Sequence, residues 1–116
     1  MTFTPSSFSV FLEAQRADYR SSLPQRLDQI ESLWRQALNG EAQALASLER
    51  CAHNLAGSGA TFGFAALGDA ARVLELAVGP LLGAAHALTP AAQAEVNRAV
   101  DALLLSLSGE TGIQGV

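Results

Sequence analysis

The sequence predicts an all-α fold, and three observations carry that expectation. Apolar residues make up 49 % of the 116, but many of them are alanine and only 6 % of the chain is aromatic, a mixture that with abundant Leu, Arg, Gln and Glu favours helices. Val and Ile are sparse, and no stretch alternates apolar and polar residues for long enough to make a half-buried strand. Between Pro, Gly and Ser punctuation, apolar residues recur every three or four positions, dividing the chain into four or five helical stretches. The length suits one domain.

Each stretch has its own start and stop. Ser6 and Ser7, after Pro5, can cap a first helix running to about Arg20, with Phe8, Phe11, Leu12 and Tyr19 on one side. Ser22 and Pro24 look like a second start, because proline fits the first helical turn; that helix carries Leu27, Ile30, Leu33, Trp34 and Leu38 and stops at Asn39-Gly40. A third helix is expected from near Glu41 to Gly63, its seam formed by Leu48, Ala52, Leu55, Gly59 and Phe62. A fourth spans about Ala65 to Val78 on Leu67, Ala71, Leu74 and Val78; at Gly79-Pro80 it either stops or kinks and continues. Thr89-Pro90 is a cap-plus-proline start for a last helix carrying Val96, Val100, Leu103, Leu104 and Leu107. Short connections between helices of this length favour antiparallel neighbours, so an up-down bundle is the simplest arrangement. The domain is expected over 1–108, with the glycine-rich 109–116 a flexible tail.

Composition also excludes functions. The net charge is -4 and all seven cations are arginines, so there is no basic stripe for nucleic acid. No apolar run is long enough to span a membrane, and the start lacks the basic region of a secretory signal. A single cysteine, Cys51, cannot form an internal disulfide, which points to a reducing, cytoplasmic compartment. It is expected at a packing boundary, with no base beside it to make it a nucleophile. Two histidines far apart and one cysteine give no zinc spacing. Gly57-Ser58-Gly59 lies within a helix and lacks the P-loop lysine, so ATP binding is not expected.

The third helix carries the chemistry. On a helical wheel with the seam inward, His53 falls roughly 140° and Gly57 roughly 180° away, so both should face solvent. Glycine within a helix costs about 1 kcal/mol relative to alanine. Gly59 lies on the seam, where it permits close packing, but Gly57 has no such reason. The remaining reason is clearance: a bare patch beside an exposed imidazole lets another protein approach the ring. Free imidazole ionises near pH ~6.5, so at neutral pH it is largely an unprotonated nucleophile. One nitrogen can attack phosphorus while the other is held by an acceptor. Glu75, about as far beyond the Gly63 turn as His53 lies before it, is the best candidate for that acceptor, although its type and place also fit an ordinary surface acid. His86 lacks comparable surroundings and reads as a loop residue. Ser58 either tunes the histidine's surroundings or caps a locally weak helix.

The run His53-x-Leu55-x-Gly57-Ser58, followed by Thr61-Phe62-Gly63-Phe64, resembles the phosphorylation motif of the histidine phosphotransfer (HPt) family. It is similar also to the phosphoacceptor domain of chemotaxis-type histidine kinases. The likeness is densest from Ala52 to Glu75. It implies an up-down antiparallel four-helix bundle, so that the first of the five stretches becomes an additional N-terminal helix. It implies His53 as the phosphoacceptor, Gly57 as the clearance residue and Glu75 as the carboxylate that orients the imidazole. Many members carry lysine where this chain has Ala56, and Arg50 or Arg72 could supply the missing cation. The docking surface implied comprises Arg50, Ala56, Ser58, Ala60, Arg72 and Phe11.

The activity implied is that of a cytoplasmic, monomeric phosphocarrier in a two-component phosphorelay, not an enzyme with its own kinase domain. It would accept a phosphoryl group from a receiver-domain aspartate and pass it to another receiver. Its partners would be response-regulator receiver domains and a hybrid histidine kinase. No cofactor is expected on the chain itself, the Mg²⁺ belonging to the partner receiver. Two alternatives stay open: a non-phosphorylated receiver-binding adaptor of the same fold, and the phosphoacceptor fragment of a larger histidine kinase.

Overall fold

A computed structural model describes residues 5–83 and 88–110. Among the described residues four helices follow one another, α1 (Pro5–Leu38), α2 (Ala44–Thr61), α3 (Ala65–Val78) and α4 (Pro90–Glu110), with one 3₁₀ turn at Gly79–Leu81. The all-α expectation holds: there is no strand among the described residues. Arg16 and Tyr19 of α1 meet the end of α2, and Trp34 of α1 meets Asn97 near the start of α4. Those pairings run α1 antiparallel to both neighbours.

The first two expected helices are one. Ser6 and Ser7 lie inside α1 rather than ahead of it, and the break expected at Ser22–Pro24 does not occur. A proline inside a helix costs about 3 kcal/mol. Here Pro24 is exposed, while Leu23 and Leu27 on either side of it are fully buried. Each such leucine contributes roughly 1.5–3 kcal/mol, enough for the pair to offset the proline. The buried stripe Tyr19, Leu23, Leu27, Ile30 and Trp34 therefore runs straight through it. Ser22 Oγ also donates to the Tyr19 carbonyl at 2.6 Å, occupying an acceptor next to the gap in the ladder. The additional N-terminal helix is thus the first part of α1. Its Phe8, Phe11 and Leu12 are exposed, because Arg16 already sits at the α2–α3 corner and the residues before it pass beyond the bundle. At the other end Leu38 is exposed and Leu33 only half-buried; Ala37 takes the core position.

Two corners close with the same device. After α1, Gly40 takes φ +88°, its N–H donates to Ala37 O, and the Glu41 N–H donates to Gln36 O. After α2, Gly63 takes φ +84°, its N–H donates to Ala60 O, and the Phe64 N–H donates to Gly59 O at 2.7 Å. Both satisfy helix-end carbonyls through a left-handed glycine, as the Asn39-Gly40 and Gly63 stops predict. The third stretch starts at Ala44 rather than near Glu41. Helix α3 stops where the Gly79-Pro80 signal allowed, giving way to the 3₁₀ turn. The Thr89 cap is present, its Oγ1 accepting from the Ala92 N–H at 3.1 Å.

The core is a single cluster in which Leu48, Leu55, Leu67, Leu74, Val78, Val96 and Leu103 are fully buried. Within it, α2 and α3 approach at two glycines. A Cβ on Gly59 would lie 3.1 Å from the Cα and N of Gly68, and a Cβ on Gly68 would lie 3.1 Å from the Ala56 carbonyl oxygen. These are backbone atoms that cannot rotate aside. Gly57, one turn from His53, has nothing within 4 Å of where a Cβ would stand. The three glycines should therefore respond with opposite signs in urea denaturation. Gly57→Ala is expected to stabilise by about 0.5–1 kcal/mol through helix propensity. Gly59→Ala and Gly68→Ala are each expected to destabilise by about 1–3 kcal/mol through overpacking.

Candidate functional site

The glycine contact sets the register of the site. His53 lies six residues before Gly59 on α2 and Glu75 seven after Gly68 on α3. At about 1.5 Å per residue on antiparallel helices, they stand roughly 9 and 10.5 Å from the crossing, on the same side of it. Their side chains meet there. His53 Nδ1 and Glu75 Oε2 are 2.7 Å apart, with the imidazole 65 % exposed and the carboxylate side chain 16 % exposed. An ionised carboxylate only accepts, so the ring donates from Nδ1–H and the neutral imidazole keeps its lone pair on Nε2.

Glu75 has a second neighbour. Arg72, one turn earlier on α3, places Nε 3.4 Å from Glu75 Oε1. That contact is an ion pair without hydrogen-bond geometry, and Oε1 is shielded from water with no hydrogen bond.

His53, Gly57, Ala60 and Thr61 form one exposed strip along α2. Thr61 Oγ1 turns back to the Gly57 carbonyl at 3.0 Å, which keeps the strip low. The strip leads to an apolar groove of about 440 Å³ between α1 and the α2–α3 corner, lined by Phe11, Leu12, Phe62 and Gly63 among others. Thr61 also lines it, and lies two turns from His53, roughly 12 Å along the helix. Phe11 thus lines a groove at the α2–α3 corner that Thr61 also lines. Arg50 is exposed one turn before His53.

Two expected docking residues do not face outward. Ala56 is 3 % exposed, because its stretch of α2 backs onto Gly68 of α3, so it cannot contact a partner. Ser58 is half-buried and its hydroxyl shares a 2.7 Å hydrogen bond with the Tyr19 hydroxyl, facing α1 rather than solvent. His86 and residues 111–116 of the expected 109–116 tail lie outside the described residues, while the first two residues of that tail belong to α4, which runs to Glu110. Cys51 sits at the expected boundary, half-buried; burial pushes its thiol pKa up, and the charges of Arg50 and Arg26 counter that only in part.

Sequence reasoning missed several residues. Gly68 was not singled out because it lies off the α3 stripe, although a glycine within a helix is the signal that could have found it. Tyr19 was placed on the apolar side of its helix but not at the corner, where it stacks on Phe62 with ring centroids 4.7 Å apart. Arg16 caps that corner, its Nε donating to the Phe62 carbonyl at 2.8 Å. Val73 and Leu76, exposed apolar residues flanking Glu75, fall between the stripe positions and carry no sequence signal beyond being apolar where a polar residue is expected.

Among the described residues, no three His, Cys, Asp or Glu side chains gather as a metal site, and no helix is long and apolar enough to cross a membrane. Neither the curated proteins nor the solved structures give a match to this chain. The family model described as Hpt domain matches residues 16–106, a span that takes in α2 and α3 whole and the parts of α1 and α4 that pack on them. With most of its length so matched and an imidazole–carboxylate pair at the centre of the match, the chain belongs to the Hpt domain family.

Proposed function

We propose that this chain is the phosphocarrier of a two-component phosphorelay, with His53 as the residue that is phosphorylated. Membership of the Hpt domain family supports a histidine phosphotransfer role. The observation that carries the assignment to His53 is its exposed ring, pinned through Nδ1 to Glu75 at 2.7 Å, beside the open space at Gly57.

Nε2 attacks the phosphorus of a receiver's aspartyl phosphate in line. The Nε2–P bond forms as the P–O bond to the aspartate breaks, and the carboxylate leaves with the electron pair. The Nδ1 proton stays in place, so the ring becomes cationic and Glu75 faces that charge. Transfer to a second receiver reverses each step. Any Mg²⁺ arrives with the receiver, and the chain itself brings no cofactor. The docking surface comprises the His53–Thr61 strip, Phe11 with its groove, Arg50, Arg72 and the exposed Leu76. A small, transient interface suits a carrier that must release. The partners are receiver domains and a hybrid histidine kinase, and the carrier works as a monomer in the cytoplasm.

Incubation with a phosphorylated receiver tests this. The chain should acquire an acid-labile, base-stable label, and His53→Gln should abolish it while leaving the thermal melt unchanged. Receiver binding without any label on the native chain would instead indicate an adaptor. Gly57→Leu should fold, since nothing lies within 4 Å of the position, yet transfer should fall by about tenfold or more because the added side chain fills the approach to the ring.

A further inference from the structure

We infer that Arg72 is a positioning residue for His53: by holding Glu75 from its far oxygen, it fixes which imidazole nitrogen carries the proton. The inference deepens the phosphocarrier reading and rests on it only for its kinetic consequence.

The observation is the condition of Glu75 Oε1. It is shielded from water and accepts no hydrogen bond, while Oε2 of the same carboxylate is committed to His53. A charged oxygen withdrawn from water without a partner is costly. The contact that compensates it is the Arg72 guanidinium at 3.4 Å, on the same helix one turn away. One carboxylate's width therefore separates the guanidinium from the imidazole, and Arg72, Glu75 and His53 form a chain of alternating roles across α3 and α2.

Without the guanidinium the carboxylate has two ways to relieve Oε1. It can rotate to expose that oxygen, which breaks the bond to Nδ1, or it can take up a proton, which removes the charge that demands Nδ1–H. Either change frees the ring to redistribute its proton between the two nitrogens. A proton on Nε2 occupies the lone pair that attacks phosphorus. Arg72 is itself 59 % exposed, so α3 does not depend on it for packing.

The test needs no phosphoryl donor. Multiple-bond ¹H–¹⁵N spectra of the full chain at about pH 8, where imidazole in general is neutral, report the His53 tautomer. The native chain should show Nδ1–H as the dominant form, and Glu75→Gln should lose that preference. Arg72→Ala and Arg72→Gln should shift the ring to a mixture, and Arg72→Lys should restore most of the Nδ1–H signal. Transfer from a phosphorylated receiver should fall about fivefold in Arg72→Ala and recover in Arg72→Lys, the scale of a partly exposed ion pair. An unchanged tautomer in both the alanine and glutamine variants overturns the inference. A tautomer shift in a chain that never acquires label would sink the phosphocarrier reading and leave Arg72's role standing.

Discussion

The contact between the α2 and α3 backbones at Gly59 and Gly68 is the constraint on which the rest of the site depends. Neither position tolerates a Cβ without backbone movement, so the two helices lie closer than larger side chains would allow. The carbonyl of Gly59 also accepts from Phe64, which ties the crossing to the corner. From that fixed point the helices carry His53 and Glu75 to the same height. A hydrogen bond of 2.7 Å between side chains of modest length survives only if the spacing behind it is held.

Around this contact, α2 is divided by face. Its inner face spends small residues on packing, Ala52, Ala56 and Gly59, all buried. Its outer face spends one on nothing structural: Gly57 weakens the helix and returns no packing. Local sacrifice of stability without a structural gain is the mark of a position kept for function. The corner beyond is reinforced instead, by Tyr19 against Phe62, by Arg16 on the Phe62 carbonyl and over the Phe64 ring, and by the Tyr19–Ser58 bond. Stiffness therefore sits at the end of α2, and open space sits at its middle.

Much of this was legible in the residues. The glycine stops at Gly40 and Gly63, the Thr89 cap, the seam of α2 and the outward turn of His53 all follow from local rules that the tertiary structure reinforces. Pairing His53 with Glu75 needed only a count across the corner. The failures have physical causes. Pro24 reads locally as a helix start, but the buried stripe on both sides of it outweighs the local cost. Ala56 neighbours Gly57 in sequence, yet one position on a helix is about 100° of rotation, and its side faces Gly68. Gly68 and Arg16 act through partners distant in the chain, which periodicity does not report.

The unbroken α1 has a consequence for how the molecule behaves in solution. A helix of 34 residues is about 51 Å long, and the described residues measure 60 × 35 × 19 Å along their principal axes. Their radius of gyration is 16.5 Å, whereas a spherical chain of this length has about 13 Å. Such an elongated, flattened particle elutes early from a sizing column, where one copy imitates a heavier assembly. Subunit number for this protein is properly read from light scattering or sedimentation equilibrium, both of which weigh mass without assuming a sphere.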